Sequence, residues 1–282
     1  MLGVRANGSS FGVLADTTYR VRIDLTDGID LSSSSPFPVI IIEGDSPQRV
    51  LTKLAELTGA IELPPLWALG YQQARWSYIP DDRVREVADE FRSRSIPCDV
   101  IWVDIDYMDG FRIFTFDEET FPDPSGLNDY LHSIDFKSVW ILDPGVKVDP
   151  GYFVYDEGLE GEHFLLNPDG SVFVNGSWPG DSAWPDYTVP ETRAWWGSYI
   201  PEFLDNGIDG IWIDLNEPSI VSPPGIPFPD DLLHRGGGEL PADTHARYHN
   251  TYGMLMSQAT HEAMKAARPD RRPFLLSRSN YI

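Results

Sequence analysis

Five short apolar runs, separated by stretches with helical periodicity, set the limits on what this 282-residue chain can fold into. They lie at residues 67–71, 100–104, 139–143, 210–214 and 274–278. Continuous apolarity without alternation is the mark of parallel strands covered on both faces. Helices fit between the runs. Asp81 or Asp82 can cap a segment with Val84, Val87, Ala88 and Phe91 on one face, residues 195–204 precede Gly207, and residues 242–268 halt at Pro269. Strand, helix, strand in repetition predicts an α/β fold with a parallel sheet. The three central runs share a pattern of apolar, Trp, apolar, then Asp, ending at Asp104, Asp143 and Asp214. A (β/α)8 TIM barrel, which places its chemistry at such C-terminal strand ends, is the architecture expected, with five strand units in this chain. A doubly wound sheet would need a glycine-rich first turn, which is missing.

Residues 1–45 read differently. Residues 11–14 and 19–25 alternate apolar with polar, and Val39-Ile40-Ile41-Ile42 is strand-like, with Ser32 to Ser35 as a loop between. They are expected to form the C-terminal part of an N-terminal β-sandwich, with the barrel part occupying 46–282. A helix should open that second part: Ser46 caps, Pro47 suits the first position, Val50, Leu51, Leu54 and Leu57 form a stripe, and Gly59 stops it. The long interval between Pro144 and Gly210 contains Tyr152-Phe153-Val154, Phe164-Leu165-Leu166 and Val172-Phe173-Val174, with Asn167-Pro168-Asp169-Gly170 as a turn. It predicts a small β insertion, at about 146–190, after barrel strand 3.

Composition removes several functions. A net charge of −23, from 44 acidic and 21 basic residues, argues against a nucleic-acid partner and against adhesion to anionic membranes. No apolar run approaches the roughly 20 residues of a membrane-spanning helix. The opening Met1-Leu2-Gly3-Val4-Arg5 lacks the apolar core of a secretory signal, so a cytoplasmic location is expected. The single cysteine, Cys98, excludes an internal disulfide and a cysteine-clustered metal site.

No cofactor or metal is expected either. Residues 104–110 depart from calcium-loop spacing. His245 and His249 are four apart, as in zinc sites, but Ala246 stands where the metalloprotease motif has Glu. Gly236-Gly237-Gly238 lacks the Lys-Ser/Thr of a phosphate loop. Oligomeric state is not legible in these residues.

The sharpest segment is Asp209-Gly210-Ile211-Trp212-Ile213-Asp214-Leu215-Asn216-Glu217-Pro218-Ser219. Acids at the end of a buried strand face a polar cavity or are paired, because burying an isolated carboxylate is costly. Capping of the next element is the alternative reading.

This segment closely resembles the nucleophile motif of glycoside hydrolase family 31, the α-glucosidases and their relatives. Five further segments match the family in order. They are Leu63-Pro64-Pro65-Leu66-Trp67-Ala68-Leu69-Gly70-Tyr71-Gln72 with Arg75-Trp76-Ser77-Tyr78; Trp102-Val103-Asp104-Ile105-Asp106-Tyr107-Met108; Ile141-Leu142-Asp143-Pro144-Gly145; Trp178-Pro179-Gly180; and Arg272-Pro273-Phe274-Leu275-Leu276-Ser277-Arg278-Ser279. His249-Asn250 with Tyr252-Gly253 also fits the family's long helix.

The resemblance implies a barrel that hydrolyses α-glycosidic bonds with retention, most simply an α-glucosidase acting on an α-glucoside or oligosaccharide. An α-xylosidase or α-glucosyltransferase is the alternative. It implies Asp214 as the nucleophile that forms a glycosyl-aspartate intermediate, with Glu217 supporting the loop and the field around it. Asp104 matches a position that accepts hydrogen bonds from sugar hydroxyls, and Arg278 a pocket arginine beside the nucleophile. Trp76, Trp178, Trp212 and Ile141 match the pocket wall. Asp106 is expected to make a structural bond to a neighbouring loop. In the family the general acid/base is an aspartate in a Trp-x-Gly-Asp segment shortly after the Ser-Arg-Ser strand, and none occurs before Ile282. The expectation is therefore a fragment of a longer enzyme, inactive by itself.

Overall fold

A computed structural model of the chain describes residues 1–221 and 226–279. Strands β1 (Leu2–Val4), β2 (Ser10–Ala15), β3 (Val21–Asp24), β4 (Asp30–Ser33) and β5 (Val39–Gly44) come first. They form an antiparallel sheet in the order β1-β2-β5 and a separate β3-β4 hairpin. Ser32 and Ser33, expected in a loop, instead pair with Arg22 and Val21. The turn before them contains Gly28 at φ 145°, a backbone open to glycine, and it reverses the chain ahead of the serines.

Helix α1 (Pro47–Thr58) starts as its sequence dictates, with the Ser46 side chain accepting from the Arg49 amide and Gly59 closing on Ala55. Its expected apolar stripe is mostly exposed, including Leu51 and Leu57; only Val50 is buried. Val50 seats against β2 and β5 at two glycines. A Cβ on Gly12 or Gly44 would meet its methyls at 2.9 and 3.0 Å.

The larger part is built on strand–helix units. Residues 67–71 do not start a strand. Pro64-Pro65 feed a 3-10 turn, Leu66–Leu69, whose Ala68 amide donates to the Pro65 carbonyl, so ladder pairing waits for β6 (Gln72–Gln73). Helix α2 (Asp81–Ser93) follows, with Pro80 in the cap position and no side-chain cap. Asp81 and Asp82 lie inside its first turn, where their charge meets the positive end of the helix dipole. Strand β7 (Val100–Val103), helix α3 (Pro124–Ser133) and strand β8 (Lys137–Leu142) complete the next units.

The interval at 146–190 holds β9 (Val146–Lys147), α4 (Phe153–Glu160), β10 (Val174–Ser177) and β11 (Gly180–Ala183), with the strands in the antiparallel order β10-β11-β9. Tyr152-Phe153-Val154, expected as a strand, instead opens α4. Helical period explains it, since Val154 and Gly158 turn to the same buried side and Gly158 abuts Phe164 so closely that a Cβ would lie 2.3 Å from its ring. The other two apolar triplets meet around the expected turn, with Leu166 bridging Val172 and the Phe173 amide donating to Leu165.

Next come α5 (Pro190–Ser198) and α6 (Ile200–Asp205), one helix in expectation but two in fact, because Pro201 supplies no amide to continue the ladder. Strands β12 (Gly210–Ile213), β13 (Leu233–His234) and β14 (Asp243–Thr244) precede α7 (His245–Tyr248), and a 3-10 turn links α7 to α8 (Tyr252–Ala267) and β15 (Leu275–Ser277). The barrel strands pair in parallel in the order β15-β12-β8-β7-β6, curled as part of a (β/α)8 barrel. Trp102 lies edge-on to Trp212 at 5.7 Å, and Phe274 packs on Trp102 and Trp67 on the same side of the sheet. On the other side, Ile101, Trp140, Ile211 and Ile213 are fully buried, with α3 packed against β8 and α8 against β15.

Candidate active site

Each of four neighbouring strands hands an ionisable residue to the same edge of the sheet. Asp104 follows the last residue of β7, Asp143 that of β8, Asp214 that of β12 and Arg278 that of β15. Register aligns the last three, because Ile213 pairs with both Leu142 and Ser277, while Val103 pairs with Trp140 and so sets Asp104 two residues back from Asp143 on the same face. Backbone bonds carry the alignment one residue further, from the Asp214 amide to the Leu142 carbonyl (3.2 Å) and from the Arg278 amide to the Ile213 carbonyl (3.0 Å). Parallel pairing thus converts four separate sequence motifs into one row of side chains.

Arg278 organises two of the acids. Its Nη1 lies 2.9 Å from Asp214 Oδ1, and its Nε and Nη2 donate to the two oxygens of Glu217 at 2.5 and 3.0 Å. Burial resists ionisation of Glu217, but Arg278, its own backbone amide and the Ser219 hydroxyl (2.9 Å) outweigh it and hold the carboxyl below its usual range. Hydrogen bonding to Glu217 in turn raises the Arg278 guanidinium.

The turn beyond Asp214 is tightly specified. Leu215 takes φ 54°, rare for a side chain with a Cβ. Asn216 is fully buried, donates to Ser277 Oγ at 2.8 Å and accepts from the Ser279 amide at 3.2 Å. A Cβ on Gly253 of α8 would lie 2.7 Å from the Asn216 carbonyl, so only glycine fits there.

Asp104 Oδ1 accepts from the Ile105 amide at 2.8 Å. Burial raises its pKa, and Asp106 and Asp214 add to the rise. Asp106 accepts from Ser77 Oγ at 2.5 Å, the expected bond to a neighbouring loop, and so fixes the segment that carries Trp76.

Asp143 lies in one of the motifs, but its burial without a partner was not foreseen. It is 5% exposed, and its Oδ1 has no hydrogen-bond partner among the described residues. Burial, then Asp214 and Asp104, push its pKa up to about 8 against the opposing pull of Arg278, so it carries a proton at neutral pH. The signal that could have found it was the repeated apolar–Trp–apolar–Asp pattern.

The aromatic residues separate into two groups. Trp76 and Trp178 stand edge to face at 5.2 Å, and Trp76 remains 65% exposed. Trp212 sits half-buried against Trp102. Ile141, expected in the wall, is 1% exposed within β8, in register with Trp212, and its carbonyl accepts from the Tyr107 hydroxyl at 2.7 Å. Beside Glu217 a cavity of about 430 Å³ is lined by His249, Asn250, Ser279 and apolar residues of β2 and β3.

Known proteins resemble this chain in sequence and in fold. The chain is 39% identical over 279 residues to "Alpha-glucosidase 2" of Bacillus thermoamyloliquefaciens, covering 98% of this chain and 35% of that one. It is 37% identical over 261 residues to "Neutral alpha-glucosidase AB" of Homo sapiens, covering 90% and 27%. Among solved structures, a Family 31 alpha-glucosidase from Bacteroides thetaiotaomicron superposes with a TM-score of 0.83 at 47% identity, over 99% of this chain and 45% of that one. The glucosidase II alpha subunit superposes with a TM-score of 0.87 at 32% identity, over 98% and 32%. The chain therefore spans about a third of the length of the curated relatives it matches. Residues 61–282 match the model of the glycosyl hydrolases family 31 TIM-barrel domain. This chain belongs to glycoside hydrolase family 31.

Proposed function

We propose that these residues form the nucleophile-bearing part of the barrel of a retaining α-glucosidase that acts on α-glucosides. The observation that carries the reading is the row of Asp104, Asp143, Asp214 and Arg278 on four adjacent strand ends. Asp214 attacks the anomeric carbon as a general acid protonates the leaving-group oxygen; water, giving its proton to that same group, then displaces Asp214 from the glycosyl-aspartate. The positive charge beside Asp214 orients it and stabilises it when it leaves the sugar in the second step.

Asp104 is exposed enough to accept from sugar hydroxyls, whereas Glu217, held by Arg278 and Ser219, supports the turn. Neither Glu217 nor Asp143 is assigned as proton donor to the leaving group, the first because both its oxygens are engaged, the second because it is buried. Trp76, Trp178 and Trp212 offer apolar faces to the sugar ring. Residues 1–45 are read as part of a β-sandwich preceding the barrel, a reading supported by their antiparallel pairing.

The test is hydrolysis of an α-glucoside by the enzyme carrying this chain, followed by NMR of the first-formed sugar. α-Glucose as the initial product, lost in Asp214→Asn, supports the proposal. β-Glucose, or full activity in the variant, refutes it.

A further inference from the structure

Outside the row of strand-end acids, a second set of titratable groups is linked end to end. His234 Nδ1 lies 2.9 Å from Asp186 Oδ1, His234 Nε2 lies 2.9 Å from His245 Nδ1, and His245 Nε2 lies 2.9 Å from His249 Nδ1. Asp186 and His245 are fully buried and His234 is 2% exposed, while half-buried His249 reaches the cavity that Glu217 also lines. The His234 and His245 rings are nearly parallel, 11° apart, and Tyr248 and Phe228 flank them. No trio of metal-ligating side chains is arranged for an ion among the described residues.

Hydrogen-bond chemistry fixes the polarity of this line. An ionised Asp186 can only accept, so His234 must carry its proton on Nδ1. Its Nε2 then accepts from His245 Nδ1–H, whose Nε2 accepts from His249 Nδ1–H. The line ends in a bare His249 Nε2.

We propose that Asp186, His234, His245 and His249 form a proton relay, coupling the charge of the buried Asp186–His234 pair to the pH of the cavity beside Glu217. One proton from solvent binds His249 Nε2. The Nδ1 proton of His249 moves to His245 Nε2, and the Nδ1 proton of His245 moves to His234 Nε2. One proton enters, only N–H bonds break and form, and the charge appears on His234 facing Asp186. His245 and His249 end neutral, each with its proton moved from Nδ1 to Nε2. The middle ring never bears the charge at rest, in keeping with burial and the two neighbouring imidazoles holding His245 down to about 2.

The surroundings set where the proton rests. Asp186 also accepts from the Thr188 hydroxyl at 2.5 Å and the Arg235 amide at 2.7 Å, and the Tyr248 and Tyr252 phenols feel its charge. His249 faces Arg20, Asp230 and Glu217; burial and Arg20 disfavour its charged form, the two acids favour it, and the net is downward. Among the described residues, His245 meets no charged side chain besides its imidazole neighbours. A charged His234 strengthens its bond to Asp186. That bond joins the end of the insertion to the segment leading into α8, which packs on Asn216 next to Asp214. The relay is therefore a pH-responsive latch between the insertion and the catalytic turn.

The experiment is long-range 1H–15N NMR of the protein labelled with 15N-histidine, titrated between about pH 5 and 8. His245 should stay neutral throughout while its tautomer switches from Nε2–H in acid to Nδ1–H in base. A tautomer that does not change, or a charged His245, overturns the relay. Asp186→Asn removes the anion that holds the proton, so His245 should remain Nδ1–H at every pH; a surviving switch overturns it too. Thr188→Ala is the milder variant. It deprives Asp186 of one competing donor and should move the switch to higher pH, and an unmoved switch contradicts the proposal.

Discussion

Nη1 of Arg278, at the end of β15, lies 2.9 Å from Oδ1 of Asp214, at the end of neighbouring β12. The same guanidinium holds Glu217 through its other two nitrogens, so one planar fork sets two carboxylates. Arg278→Ala should lower kcat of the proposed α-glucoside hydrolysis by about 10²-fold, the scale for removing a positioned electrostatic partner. Arg278→Lys should recover little, because a single ammonium cannot span both acids. Full recovery in the lysine variant would mean that charge alone matters.

Asp143 should make stability fall as pH rises. Folded, its pKa is about 8; unfolded, a free Asp titrates near ~3.9. Between those values the native state holds a proton that the unfolded chain has released, so stability declines across that window and levels off above it. Asp143→Asn keeps the neutral shape and should raise Tm at pH 7.5, by an equivalent of more than about 1 kcal/mol, with a smaller gain at pH 5. Equal gains at both pH values would show that Asp143 is ionised in the fold.

Two aspartates on one turn should differ sharply in effect. In the proposed function Asp104 accepts from substrate, whereas Asp106 is bonded to Ser77. Asp104→Asn should therefore cost kcat/KM about 10²-fold or more, in line with losing a charged partner to substrate. Asp106→Asn should cost mainly stability, about 1 kcal/mol. Kinetics and thermal melts on the pair separate the roles.

The Trp76–Trp178 pair should act on binding. Trp178→Ala removes the edge contact that holds the exposed Trp76 ring. KM for an α-glucoside should rise about tenfold, the scale of one lost aromatic contact, with kcat little changed. An equal fall in kcat at constant KM would place Trp178 in the reaction rather than the wall.

Legibility in the sequence followed physical range. The buried parallel strands were readable because both of their faces are apolar, and 100–103, 210–213 and 275–277 fall inside the expected runs. The first run failed because the proline pair at 64–65 imposes a turn before any ladder can start, and the apolar triplet at 152–154 failed because three residues cannot distinguish a strand from a helix start. Asp214, Glu217 and Arg278 were legible through their motifs. The isolation of Asp143 and the histidine line from Asp186 to His249 were not. Both depend on which neighbours tertiary packing supplies across distant parts of the chain, as the separation of Asp186 from His234 illustrates.

The most direct measurement is a trapping experiment. The enzyme carrying this chain is incubated with a fluorinated α-glucoside that forms the covalent intermediate but releases it slowly, then digested and sequenced by mass spectrometry. The glycosyl mass should sit on the peptide containing Asp214 and be absent from Asp214→Asn. A label on Asp104, Asp143 or Glu217, or on no residue of this chain, would contradict the assignment of the nucleophile.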